Sequence, residues 1–285
     1  MFKALPIDPH RLENSSLTPT EKSFESILMR DILSKVLDIA KLNAPVVIIG
    51  EMGVGKKRVA QIIHENSRRA AYPFYPFYCL DLNRDDYDKA FREQLMLSDD
   101  HFVLKYDVIE KAYHGILFLE QFSELSEDLM INIVQSFIKG CEQLYRFNAE
   151  AKPRLVISIN MGSYNDLIHS SEWQKILNLL NPYTIMIPPL RERKRDIPLL
   201  INSFLKHVKS KSSKFSELSI SEEALEVCAS HRWPGNIKQL HNALLQGILL
   251  SHKKTIESQH FPFSMQWKTP YGFNQNNPPK NDSSD

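Results

Sequence analysis

The stretch Pro45-Val46-Val47-Ile48-Ile49-Gly50-Glu51-Met52-Gly53-Val54-Gly55-Lys56-Lys57 decides how the rest of the chain is read. Val46 to Ile49 is an unbroken run of β-branched residues, as in a strand buried on both faces of a parallel sheet. Gly50 ends the run, and Lys56 to about Arg69 reads as a helix. Strand, glycine loop and helix together open a βαβ unit. Gly50, Gly55 and Lys56 also have the spacing of a phosphate-binding loop. In such a loop the backbone N–H groups curl around a phosphate, the helix N-terminus adds positive dipole, and the lysine serves the β- and γ-phosphates. Gly50, Glu51, Met52, Gly53, Val54, Gly55, Lys56 and Lys57 are therefore the candidate nucleotide-binding residues. The competing reading is a tight strand-to-helix turn that merely contains glycines. Where many such loops carry Ser or Thr to reach magnesium, this chain has Lys57, whose ammonium attracts phosphate and cannot ligate a metal.

Outward from the loop the same texture recurs. Phe24 to Leu42 has helical apolar spacing. Further strand candidates are Phe74 to Leu82, Ile116 to Leu119, Leu155 to Ile159 and Tyr183 to Ile187, with Pro76 marking the first as an edge or bulge. Strands alternating with helices predict a doubly wound α/β sheet. After Pro189 the strands stop. A helix opens near Asp196 and Pro198, a second follows Ser219-Ile220-Ser221-Glu222 read as a capping box, and a third runs from Ile237 to about Leu250.

A phosphate loop that cleaves its ligand needs a second strand ending in acids, one to hold magnesium and one to activate water. Ile116-Leu117-Phe118-Leu119-Glu120-Gln121 is the best candidate. In one register Glu120 holds the metal and Gln121 stands where the base should be, but an amide takes up no proton at neutral pH. Slipped by one, Glu120 is the base and Leu119 fills the metal position. A third reading is a buried strand with a polar end.

Composition narrows the classes. Lys+Arg number 35 against 34 Asp+Glu, a net charge of +1, which removes bulk charge as a route to nucleic acid. No apolar run reaches the roughly 18 residues a membrane span requires, and the N-terminus lacks the apolar centre of a signal peptide, so the cytoplasm is the expected location. Cys79, Cys141 and Cys228 are far apart and read as buried thiols, and the histidines show no ligand spacing.

Several pieces in order resemble the AAA+ domain of bacterial sigma-54-dependent transcription activators, over about residues 24 to 262. They are Gly50 to Lys56, Ile63-His64 with Ser67 and Arg69, Pro73-Phe74 with Cys79, Gly115 to Leu125, and Arg154 to Asn160. The most specific are Pro188-Pro189-Leu190-Arg191-Glu192-Arg193 with Asp196-Ile197-Pro198, and Trp233-Pro234-Gly235-Asn236. The resemblance implies a P-loop AAA+ core, a parallel sheet flanked by helices, over residues 21–190. A small all-α lid over 191–262 follows it. Residues 1–20 read as a loose lead-in and 263–285 as a disordered tail. It further implies ATP or ADP between the subunits of an oligomer of AAA+ chains, like or unlike, and a sensor-like place for Asn160.

The departures from that family are specific. Its polymerase-contacting loop motif, Gly-Ala-Phe-Thr-Gly-Ala, is missing, because none of the nine glycines falls between Gly55 and Gly115. Asn83 to Lys111 reads as a polar, helix-prone replacement, and contact with sigma-54 is not expected. The acidic pair is Glu120-Gln121, leaving Glu120 as the one candidate magnesium ligand. The arginine-finger positions fall, by ungapped counting, on Trp173 and Leu179. The lid arginine that senses the γ-phosphate is Lys238, which keeps charge but loses the two-pronged fork. An arginine finger is worth roughly 10³- to 10⁵-fold in turnover and a base about 10²- to 10⁴-fold. The expectation is an ATP-binding, pseudo-ATPase regulator of transcription or of a partner protein. Two other readings stay open: a working ATPase in which Glu120 or Glu124 serves as base and a partner lends the arginine, and a structural module with a vestigial site. With no helix-turn-helix pattern after Trp267 and too short a lead-in for a receiver domain, direct DNA binding is not expected.

Overall fold

Strand β1 (Val46–Gly50) shows why a continuous apolar run is needed at its position. Side chains alternate across a strand, and here both faces are covered. Val47 and Ile49 join one buried layer, and Val46 and Ile48 join the other. The structure, a computed structural model, describes residues 26–79, 95–98, 101–104, 106–146, 148–252 and 254–261. The lead-in over 1–20, Phe24 and the tail over 263–285 lie outside those residues.

The described elements of the core are α1 (Ile27–Ala40), β1, α2 (Lys56–Glu65), β2 (Phe74–Tyr78), β3 (Leu95–Ser98), β4 (His101–Leu104), α3 (Tyr106–Lys111), β5 (Ile116–Glu120) and α4 (Glu127–Leu144). After them come β6 (Arg154–Asn160), α5 (Met161–Leu167), α6 (Ser171–Leu180) and β7 (Tyr183–Ile187). Five strands form one parallel sheet in the order β2-β5-β6-β1-β7. β1 therefore lies between β6 and β7, and Pro76 sits on an edge strand, where its missing N–H costs no ladder bond. One layer packs Leu117, Leu119, Leu155 and Ile157 with Ile133 and Val134 of α4 and Trp173 and Ile176 of α6. The opposite layer packs Ile116, Phe118 and Val156 with Leu33 and Val36 of α1 and Ile62 and Ile63 of α2. This is the doubly wound α/β arrangement that the strand texture predicts.

Polar anchors tie the layers to the chain around them. The guanidinium of Arg154, almost wholly buried, donates to the carbonyls of Ile39, Ala40 and Ala44 and so pins the end of α1 against β6. The Asp196 carboxylate accepts from the Ser26 N–H at 2.8 Å and from its hydroxyl at 2.9 Å, fixing the start of α1.

The described residues divide into two compact units, 26–200 with Arg232–Leu240, and Ile201–His231 with 241–261. The C-terminal region is helical, with α7 (Ile197–Lys211), α8 (Glu222–Ser230) and α9 (Asn236–Leu250), and it carries one small parallel pair, β8 (Ser219–Ile220) with β9 (Thr255–Ile256).

Two local expectations are corrected. Ser219 does not cap α8. It belongs to β8, and the cap is Ser221, whose hydroxyl accepts from the Ala224 N–H at 3.2 Å. The segment read as helix-prone, Asn83 to Lys111, contains the antiparallel pair β3–β4, with only α3 helical among its described residues. Leu95-Met96-Leu97 and Phe102-Val103-Leu104 are apolar runs, and pairing satisfies their backbone groups. Residues 83–94 lie outside the described set.

Candidate nucleotide-binding site

The loop between β1 and α2 owes its shape to glycine at two places. Gly53 has φ +77° and Gly55 φ +103°, left-handed values that a side chain would strain. A Cβ on Gly53 would also stand 2.4 Å from the Gly235 carbonyl oxygen. The Gly53 carbonyl accepts from the N–H of Ile237 at 3.0 Å, so the Trp233-Pro234-Gly235-Asn236 element is seated directly on the loop. Asn236, fully buried and at φ +53°, links the phosphate loop to the segment at Leu190. Its amide donates to the Met52 carbonyl at 2.9 Å and to Glu51 Oε2 at 3.1 Å, and its oxygen accepts from the Leu190 N–H at 2.7 Å.

From the other side comes Pro189 to Arg193. Arg191 forks onto Glu51 with two bonds of 2.7 and 2.8 Å, and the Glu51 carboxyl is held below its ordinary range chiefly by that contact. Arg193, buried, donates to the Val54 carbonyl at 2.9 Å. Burial pushes its pKa down to about 10, against the pull of Asp196. Thus Glu51, Met52, Gly53 and Val54 are each gripped from outside the loop.

The Lys56 ammonium donates to the carbonyls of Gly50 at 2.7 Å and Glu51 at 3.0 Å, inside its own loop. Burial pushes its pKa down to about 8, opposed by the charges of Glu120, Glu124 and Glu51. Backbone donors at a helix start, beside a lysine whose charge is poorly solvated, make a place for a phosphate.

Residues 23–143 match the Sigma-54 interaction domain, and residues 191–277 match the AAA+ ATPase lid domain. The chain is thus similar, over its core and over its C-terminal helices, to sigma-54-interacting AAA+ proteins. Among curated relatives, a Nif-specific regulatory protein of Azotobacter vinelandii is 29% identical over 233 residues, covering 80% of this chain and 44% of the relative. Regulatory protein AtoC of Escherichia coli K12 is 28% identical over 239 residues, covering 82% of this chain and 51% of its own. The chain thus spans about half the length, or less, of these relatives. Among solved structures, NtrX from Brucella abortus in complex with ATP superposes with a TM-score of 0.66 at 20% identity, covering 89% of this chain and 58% of that one. At that identity the likeness speaks for the fold.

The AAA+ core places the remaining candidates unequally. Glu120 ends β5 and faces the loop. Its carboxylate lies 3.6 Å from the Lys57 ammonium, which also donates to the Tyr78 hydroxyl and stands 5.0 Å from that ring's centre. Tyr78 falls in the strand candidate Phe74 to Leu82 and is not among the candidate site residues; β2 pairs with β5 in a register that sets it beside Glu120. Gln121 turns off the strand at φ +59°, and its N–H donates to the buried Ser158 hydroxyl at 2.9 Å. The Asn160 side chain caps α5, accepting from the Gly162 N–H at 3.4 Å, while its own N–H donates to Ser123. Lys238 is exposed, and its N–H lies 3.4 Å from the Gly53 carbonyl, next to the loop. Of the two arginine-finger positions, Trp173 is 1% exposed in the core beneath α6, and Leu179 is exposed on the same helix.

Magnesium asks for near-octahedral oxygen ligands at about 2.0–2.1 Å. At this site residue 57 brings an ammonium in place of a hydroxyl, and it rests on the one carboxylate that would share the metal. The donor set does not fit a divalent cation. Among the described residues, no group of three or more His, Cys, Asp or Glu side chains is placed to hold a metal, and none of their helices is long and apolar enough to cross a membrane. The three cysteines are buried.

Proposed function

We propose that this chain is an ATP- or ADP-binding regulator with little or no hydrolytic activity, acting on transcription or on a partner protein from the cytoplasm. The carrying observation is the loop itself, with left-handed Gly53 and Gly55, a half-desolvated Lys56, and grips from Arg191, Arg193 and Asn236. That the related NtrX crystals contain ATP in one case and ADP in another supports the same ligand class. Gly50 to Lys57, with Lys238 beside them, form the contact set.

Weak hydrolysis follows from what surrounds the phosphates. Gln121 has no proton affinity to offer, and Trp173, packed in the core, could not be replaced by a reaching side chain without emptying that core. Assembly with other AAA+ subunits, like or unlike, fits the family. One of those subunits could carry the polymerase-contacting loop motif missing between Gly55 and Gly115 here. Contact of this chain with sigma-54, or directly with DNA, is not part of the reading.

Calorimetric titration with ATP and ADP, beside Lys56→Ala, tests binding. The wild type should bind and the variant should lose about 10- to 100-fold, the worth of one charge-assisted contact. Absence of binding at millimolar nucleotide would leave a structural module. Turnover that needs Lys56 would instead favour a working ATPase with Glu120 or Glu124 as base.

A further inference from the structure

The pairing of Lys57 with Glu120 has no use in holding the fold that an apolar pair would not serve as well. It does have a position. A P-loop presents residue 57 and the end of β5 to the metal that bridges the phosphates. Here that pair of positions is filled by an ammonium and a carboxylate 3.6 Å apart, both mostly buried, at 16% and 21% side-chain exposure. Tyr78 steadies the ammonium twice, by its hydroxyl and by its ring face. Glu120 also acts on the neighbouring Lys56 ammonium, ahead of Glu124 and Glu51, so one carboxylate serves both cations.

We infer that the tethered Lys57 ammonium, held by Glu120 and Tyr78, takes the place of the divalent cation, so that the loop binds the nucleoside polyphosphate free of metal. The inference rests on the nucleotide-binding reading above and adds the form of the ligand. An incoming magnesium would meet an ammonium where it needs an oxygen, and would compete with it for the Glu120 carboxylate. The metal-free polyphosphate, by contrast, brings its full negative charge to Lys56 and Lys57. This arrangement also removes a bridging Lewis acid from the phosphates, consistent with holding a nucleotide without cleaving it.

The test is calorimetric titration of the full chain with ATP in EDTA and again in magnesium. Wild-type affinity should be equal or weaker with magnesium. In Lys57→Thr, which restores an oxygen, magnesium should tighten binding about tenfold or more. Lys57→Arg, which keeps a cation, should stay indifferent to the metal. Manganese resonance supplies a second readout: with ATP present, the wild type should add no protein-bound manganese signal and Lys57→Thr should add one. Wild-type binding that needs magnesium, or a folded Lys57→Thr that remains indifferent to it, would overturn the inference while leaving nucleotide binding intact. Failure to bind in either buffer would overturn both. The wild-type arm stands even if Lys57→Thr proves unstable.

Discussion

The two sides of the phosphate loop are built on different principles. On one side, the Met52, Gly53 and Val54 carbonyls accept from Asn236, the Ile237 N–H and Arg193, and the Glu51 carboxylate is held by Arg191 and Asn236. On the other, Lys57 and Glu120 meet through their side-chain charges, and here the chain departs from the proteins it resembles. A cradle made of backbone keeps its shape as long as the glycines and their grips persist. A site made of side-chain charge changes its chemistry with one substitution. Phosphate holding and phosphate cleavage can therefore part company within a single loop.

The sharpest break in this comparison would be Gly53→Val. It forces a β-branched residue into a left-handed backbone and drives a Cβ to within 2.4 Å of the Gly235 oxygen. A loss of about 4 kcal/mol or more, with abolished nucleotide binding, is expected from urea melts and titration. Asn236→Ala keeps the loop glycines but removes the grip on Glu51 and Met52 and leaves the buried Leu190 N–H without its acceptor. It should cost about 2 kcal/mol by thermal or urea unfolding and loosen nucleotide binding.

A smaller effect is expected from pH. The Lys56 ammonium loses its proton at about 8 rather than near 10.5, because burial disfavours its charge. A bound phosphate favours the charged form, so above pH 8 binding must take up a proton, and affinity falls as pH rises. Between pH 7 and 9 the drop should be about tenfold, read by titration calorimetry in buffers of different ionisation enthalpy. Smallest of all, Gln121→Glu supplies the missing base on the departing side alone. With Lys57 still on Glu120, phosphate release in a steady-state assay should rise less than about threefold; a rise near the 10²- to 10⁴-fold worth of a base would show that only Gln121 held hydrolysis back.

Much of this was readable from local pattern. The run Val46 to Ile49, the glycine spacing and the helix after Lys56 are neighbours in the chain, so their physics is set within a dozen residues. The edge position of β2 was legible in Pro76 for the same reason: a residue without an N–H cannot sit in the middle of a ladder. Two readings failed where local signals were ambiguous. Ser219 and Ser221 both suit a helix start, and pairing with Thr255 drew the first into β8 instead. Polar residues around short apolar runs hid the β3–β4 pair.

The sequence by itself determined that a doubly wound sheet carries a phosphate loop, and that Gln121 and Lys57 stand where other chemistry is usual. Only the tertiary structure decided what those residues do. Glu51 meets Arg191 across 140 residues and Asn236 across 185, and Lys57 reaches Glu120 and Tyr78 because β2 lies beside β5. Charge interactions of this kind depend on distance and burial, which sequence neighbours do not share and the fold alone supplies.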